Sequence, residues 1–159
     1  MAIPAYLWIT DESGSPIRGA SEVKNREGSI EVFGFGHGIH SLADANSGAL
    51  MGTRSHAPMI LEKEFDRTSP LLYRAVAKGL SLKTAEIKWC RIEKDGVERE
   101  YFNMQMEGVR VVSVAPTMHH IKDRALPEHN HCEVIELRYR KIAWRYCDGN
   151  IVFSDDWSR

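Results

Sequence analysis

The stretch that most constrains the fold runs from Glu64 to Gly79, because it carries a complete set of helix signals in a chain that otherwise shows strand patterns. Ser69 can serve as the N-cap, and Pro70 at the first helical position lacks an amide proton that would have no partner there. Gly79 supplies the left-handed residue with which a helix ends. The apolar residues at helical spacing on one face are Leu71, Leu72, Ala75 and Val76. These features predict a helix over about residues 69–79.

The remaining patterns predict short antiparallel strands. Residues 85–92 alternate between apolar and polar side chains, and the Asp95-Gly96 pair that follows is typical of a tight hairpin turn. Residues 147–150 predict another tight turn. The apolar phase slips by one residue near Arg140, which indicates a bulge. The predicted fold is mainly β, an antiparallel β-barrel or sandwich of about eight strands with one helix packed on it.

Residues 38–57 show no sustained period and are rich in glycine and small polar residues. The sequence therefore predicts a long extended loop. Loops of this length are uncommon in compact domains, and most of them are functional or become ordered against a partner.

Length and charge restrict the class of protein. The chain has 159 residues, which suits a single domain over 1–159, and its 21 basic and 22 acidic residues give a formal charge of -1. No basic field favours nucleic acid, and no run approaches the ~20 apolar residues that span a membrane. The N-terminal residues lack the pattern of a secretory signal, so we expect a chain made in the cytoplasm. The odd number of cysteines favours free thiols over a disulfide framework.

No catalytic motif is evident, so the residues predict neither an enzyme nor a bound cofactor. A group with metal-ligand character comprises His119, His120, Asp123, His129, His131 and Cys132. Neutral imidazoles are good zinc ligands, but no established zinc-binding spacing accompanies these residues. A small-ligand or metal-binding β-barrel that uses these histidines is therefore the alternative function.

Several separated blocks resemble the Hcp family, the tube-forming proteins of bacterial type VI secretion. The blocks occur in the family's order and comprise residues 1–8, 27–32, 53–58, 63–79 and 129–150. The resemblance extends from Met1 to about Trp157, and the motif Phe65-Asp66-Arg67-Thr68-Ser69-Pro70 within it is especially specific.

The resemblance implies a β-barrel flanked by one helix that assembles into hexameric rings, which stack into a tube. Such a tube is exported from the cytoplasm by a contractile sheath, carries a spike protein at its tip, and holds small effector proteins in its bore. On this basis we expect a structural role without catalysis. The residues expected near the bore are Gly36, His37 and Gly38, and those expected on a stacking or inter-subunit loop are Leu42, Leu50, Met51 and Arg54. Tyr73 and Arg74 on the outer helix face are expected to lie near a neighbouring subunit.

Overall fold

The computed structural model describes residues 3–125 and 130–156. This part of the chain forms one α-helix, α1 (Ser69–Lys78), and twelve strands. The strands are β1 (Ala5–Thr10), β2 (Pro16–Ile17), β3 (Ile30–Val32), β4 (Gly34–Gly36), β5 (Ile39–His40), β6 (Ser55–His56), β7 (Met59–Glu64), β8 (Leu82–Ile92), β9 (Glu98–Thr117), β10 (Cys132–Arg138), β11 (Lys141–Tyr146) and β12 (Ile151–Asp156).

All strand pairs are antiparallel, and strand β9 pairs with three other strands. Its first half pairs with β8 on one side and with β11 on the other, and its second half pairs with β10. The change of partner occurs at Gly108, whose φ of 62° is in the left-handed region. Opposite this bend the chain breaks between β10 and β11, and the Arg140 amide donates to the Glu107 and Gly108 carbonyls. The 20-residue strand β9 therefore belongs to two differently oriented parts of the sheet.

The segment 30–36 connects the two sides of this sheet. Its first half, β3, pairs with β1, and its second half, β4, pairs with β7. Between the two halves, the Phe33 amide donates to the Glu62 carbonyl at 2.9 Å. The sheet thus curves around one apolar core, in which Leu7, Ile87 and Met104 lie side by side on successive strands.

The mainly β prediction with one flanking helix is confirmed, whereas the number of strands differs. Twelve strands replace about eight because β2, β5 and β6 have only two residues each and β3 and β4 only three. The predicted phase slip is also present. Strand β10 ends at Arg138 and β11 begins at Lys141, so that Tyr139 and Ile142 both remain buried. A bulge in the β9 pairing lies slightly earlier, between Glu136 and Leu137.

The helix has the predicted limits but a narrower buried stripe. Leu72 and Ala75 are buried, while Leu71 and Val76 are 43% and 37% exposed. The helix covers the sheet mainly at β9, which is too small a contact to bury four apolar positions. Gly79 ends the helix with a φ of 62°, as predicted.

Ser69 is not the N-cap that the sequence predicted. Thr68 occupies that position and makes no side-chain cap bond. The Ser69 hydroxyl donates instead to Glu133 Oε1 at 2.6 Å and accepts the Asp66 amide at 3.1 Å. The hydroxyl donates its proton to the buried Glu133 carboxylate, and such a charge-assisted bond is stronger than a neutral one, so the Ser69 side chain is directed toward β10.

An ion pair lies inside the molecule beneath the start of α1. Lys63 and Glu133 are both fully buried, and the Lys63 ammonium donates to Glu133 Oε1 and to the Glu64 carbonyl. Asp66 adds a second carboxylate oxygen 3.2 Å from the ammonium. This cluster connects β7, β10 and the first turn of the helix.

Candidate functional site

The long loop over residues 38–57, which we call the arm, has more structure than its sequence predicted. Strands β5 and β6 pair at its base, and an isolated bridge joins Ala43 to Leu50 further out. At the tip, Asp44 Oδ1 accepts the amides of Asn46 and Ser47 at 2.9 and 2.7 Å, and these bonds lower the pKa of Asp44. The arm is therefore an irregular hairpin that local hydrogen bonds stabilise.

The arm presents apolar side chains to solvent. Leu42, Leu50 and Met51 are 65%, 75% and 55% exposed, although all three belong to residue types that are usually buried. A cluster of exposed large apolar residues is typical of an interaction surface.

Charged residues tie the base of the arm to the last strand. Arg54 donates to both carboxylate oxygens of Asp155, at 3.0 and 2.8 Å, and also to the Asp156 carbonyl at 3.3 Å. His56 Nε2 lies 2.8 Å from Asp155 Oδ2. The bonds from Arg54 and then His56 lower the pKa of Asp155 to about 2. Asp155 is therefore a charged anchor for the arm.

A row of polar rings continues inward from this anchor. The Tyr139 hydroxyl lies 2.6 Å from His56 Nδ1 and 2.7 Å from His37 Nε2. Burial, followed by the proximity of His56, lowers the pKa of His37, and burial raises the pKa of Tyr139. Both histidine rings stack on Trp144, at centroid distances of 6.5 Å for His37 and 6.3 Å for His56.

The residues predicted near a bore occupy different environments. His37 points into the polar row at the base of the arm and is half-buried. Gly36 has room for a side chain next to Ile60, and Gly38 has open space. Of this glycine run, the tight position is Gly34, where a Cβ would come within 2.7 Å of Glu62 Oε2.

The outer helix face carries Tyr73 and Arg74, and both are exposed. They contribute nothing to the core of the chain, which leaves them available for the predicted contact with a neighbouring subunit.

The face of the sheet turned away from the core carries both signs of charge, while the Tyr6 and Asn103 side chains within it are buried. One row crosses four strands from Tyr6 through Lys88 and Asn103 to Arg145. Arg145 donates to Glu100 at 3.2 Å, and the Lys88 ammonium lies 4.7 Å from the Trp8 ring centroid. Such a mixed face can contact polar protein surfaces of several kinds.

Comparison with known proteins identifies the family. The sequence profile described as "Type VI secretion system effector, Hcp" matches residues 6–146. The chain belongs to the Hcp family.

The relatives of this Hcp-family chain match it along nearly their whole length. It is 32% identical to the "Major exported protein" of Pseudomonas aeruginosa, over 99% of this chain and 96% of that protein. A tryptophan double mutant of Hcp1 from Escherichia coli EAEC 042 is 50% identical, with a TM-score of 0.88 and coverage of 98% and 99%. Secreted protein Hcp3 from Pseudomonas aeruginosa is 28% identical, with a TM-score of 0.76 and coverage of 97% and 99%. The chain is thus a type VI secretion protein of the Hcp family.

The alternative that relied on histidines receives no support. Within residues 3–125 and 130–156, no three His, Cys, Asp or Glu side chains are placed to share a metal ion. His119 is half-buried and His120 is exposed, just before a turn at residues 121–122. His131 packs against the Phe65 ring, and His129 lies outside the described residues. In the same ranges, no helix combines the length and apolarity needed to cross a bilayer.

Most of the groups that hold the arm in this Hcp-family chain could not be predicted from the sequence. The expected site residues include His37 and Arg54, but not His56, Tyr139 or Asp155. These three come from β6, the break after β10, and β12, so no sequence spacing connects them. The one available signal was Asp155 itself, which falls at a position where the alternation of β12 points toward the core side of the sheet.

Proposed function

We propose that this Hcp-family chain is the structural subunit of a type VI secretion tube. Copies of the single 1–159 domain close into a hexameric ring, the rings stack into a tube, and the bore holds small effector proteins. The arm carries this proposal, because it presents three exposed apolar side chains on a hairpin that is fixed firmly at its base.

Those side chains can supply free energy for assembly. Burying an exposed leucine or methionine contributes about 1.5–3 kcal/mol, so the three arm residues could together contribute several kcal/mol to a contact. The Arg54 to Asp155 anchor supports the same role, because a preoriented arm loses less conformational freedom when it binds.

A second apolar surface supports ring closure. Ile151, Val152 and Phe153 in β12 are all more than half exposed, and β12 pairs only with β11 among the described residues. The helix face with Tyr73 and Arg74 lies elsewhere on the chain. A closed ring needs two different surfaces on each subunit, since a head-to-tail contact joins unlike patches.

The polar sheet face supports a cargo-holding bore. Its mixed charges suit reversible contact with folded effector proteins, because such faces favour specificity over tight hydrophobic binding. The remaining proposed partners are the spike protein at the tube tip and the contractile sheath, and the tube leaves the cytoplasm through this system. The proposed role involves no catalysis, cofactor, nucleic acid or membrane insertion.

Sedimentation velocity and negative-stain electron microscopy test this proposal. The protein is expected to sediment as a hexamer at micromolar concentration and to form rings with open centres. Leu50→Asp is expected to keep the rings but to abolish their stacking into tubes. Ile121→Asp is the matched control, because Ile121 is 86% exposed and lies outside the arm, the helix and β12.

Two results would contradict the proposal. A wild-type protein that remains monomeric at every concentration would exclude ring formation by this chain. Equal loss of stacking in Leu50→Asp and Ile121→Asp would show that the arm has no special part in the contact.

A further inference from the structure

The polar row at the base of the arm has a fixed order of protons when both histidines are neutral. Asp155 can only accept, so His56 Nε2 must carry a proton and donate it. His56 Nδ1 is then a bare acceptor for the Tyr139 hydroxyl, and the hydroxyl oxygen accepts from His37 Nε2. Donors and acceptors alternate along the whole row from His37 to Asp155.

The row can take one extra proton without losing any of these bonds. If His37 gains the proton, its Nε2 still donates to Tyr139 and the order is unchanged. If His56 gains the proton, its Nδ1 becomes a donor to the Tyr139 oxygen. The Tyr139 hydroxyl then donates to His37 Nε2, because the proton of the neutral His37 ring moves from Nε2 to its own Nδ1. When both rings are charged, both must donate to the same hydroxyl oxygen, and the Tyr139 proton must leave the row.

The surrounding charges also oppose a second proton. Asp155 from β12 faces His56, but its two oxygens already bind Arg54 from the arm. Arg138, at the end of β10, donates to the His56 carbonyl at 2.9 Å and adds a further positive charge. The other acid of β12, Asp156, binds Arg140 through its carboxylate at 2.7 Å. A second imidazolium would therefore add a positive charge next to carboxylates that already balance the charges of arginines.

We propose that the row His37, Tyr139, His56 and Asp155 is a latch that positions the arm, and that it holds with at most one added proton and releases the arm with two. His37, Tyr139 and His56 act here as positioning residues. Only the consequence for stacking rests on the proposed function of the arm; the release itself does not.

The pH range in which the latch holds follows from the pKa shifts of His37 and Tyr139. The pKa of His37 lies below its ordinary value of 6.5 when the latch is closed, so an open arm binds protons more readily and the latch weakens as the pH falls below 6.5. The pKa of Tyr139 lies above its ordinary value of 10.0, so an open arm loses this proton more readily and the latch weakens again above pH 10. The arm is therefore held best between these two values.

Hydrogen exchange read by mass spectrometry tests the latch. Peptides from residues 38–57 are compared with peptides from α1 between pH 7.5 and 5.5, on whole protein in one assembly state, after correction for the intrinsic rate. We expect the arm to exchange faster at pH 5.5, by up to about tenfold per pH unit for each linked proton, and α1 to remain unchanged.

Three variants separate the latch from general stability. Tyr139→Phe removes the hydroxyl, so its arm is expected to exchange fast already at pH 7.5 and to show no further pH step. Tyr101→Phe is the matched control and should behave like the wild type, because Tyr101 lies in β9 outside the latch and its ring contacts Arg91 at 5.0 Å. His37→Gln keeps an amide donor toward Tyr139 but cannot take a proton, so its arm should remain protected at pH 5.5.

The outcomes distinguish the latch from the proposed function. A wild-type arm whose exchange does not change with pH would overturn the latch, as would His37→Gln with the full pH step. Sedimentation of the same samples reports on stacking. If the arm loosens as expected while stacking persists, the latch stands and the role of the arm in stacking is refuted.

Discussion

Replacing Lys63 by methionine tests the buried ion pair beneath α1. Lys63 and Glu133 are both fully buried, and the side chain of Asp66 is 8% exposed. Lys63→Met preserves the length and most of the volume of the side chain but leaves the Glu133 charge without its cation. Removing one partner of a buried pair typically costs about 3–5 kcal/mol, because the remaining charge has neither water nor a counter-ion. That is a large share of the ~5–15 kcal/mol that stabilises an ordinary domain.

The pair itself contributes much less than this loss suggests. Replacing both groups by apolar side chains of similar volume is often neutral, since neither charge then has to be desolvated. The double variant Lys63→Met, Glu133→Leu is therefore expected to recover most of the stability that the single variant loses, although Ser69 loses its acceptor.

Urea unfolding at pH 7.5, followed by circular dichroism at one fixed protein concentration, measures both variants. The concentration must be fixed because assembly adds to the apparent stability. The reasoning would be refuted if Lys63→Met lost less than about 1 kcal/mol, or if the double variant were as unstable as the single one.

Three further predictions concern the helix and the arm. Leu72→Asp is expected to unfold the chain by burying an unpaired charge, whereas Arg74→Glu should leave it folded and weaken the ring, as circular dichroism and sedimentation of the two variants would show. Gly79→Ala should lower the stability by about 1–2 kcal/mol because its φ is positive, while Gly38→Ala, with open space around it, should change urea unfolding little. The carboxylate of Asp155 has a pKa of about 2 against an ordinary 3.8. Its contribution to the stability of the fold is therefore present above pH 3.8 and is lost as the pH falls toward 2. Asp155→Asn should abolish that acid step in the pH dependence of urea unfolding.

The helix could be predicted from the sequence because its signals are local. A proline at the start, a glycine at the end and the apolar spacing all lie within residues 69–79, and the structure places the helix at Ser69–Lys78. The cap was wrong for a non-local reason, since the acceptor that takes the Ser69 hydroxyl comes from β10.

Short strands and buried charges could not be predicted in the same way. Strands β5 and β6 have two residues each and exist only because they pair with each other, which leaves no alternation to detect. Glu62, Lys63 and Glu64 look like a solvated charged run, yet Lys63 is fully buried against Glu133. Only the pairing of β7 with β10 brings those two residues together.

The candidate site likewise combines a feature that is visible in the sequence with contacts that are not. The long loop is visible in the sequence as a stretch without period, and the Hcp resemblance predicts a stacking or inter-subunit role for it. The groups that hold the arm come from three distant segments, and 83 residues separate His56 from Tyr139. Their contact depends on the bend of the chain between β10 and β11, which no local pattern encodes.

The anchor of the arm also sets an order of events during synthesis. Arg54 leaves the ribosome 101 residues before the Asp155 that holds it. At about 5–20 residues per second, the arm spends roughly 5–20 s without its anchor while the rest of the chain is made. During that interval its apolar residues are present without the contact that orients them. In the proposed stacking role, the arm would therefore become competent to bind a neighbouring copy only after β12 has been made, and nascent chains on one messenger would not join through their arms before that point.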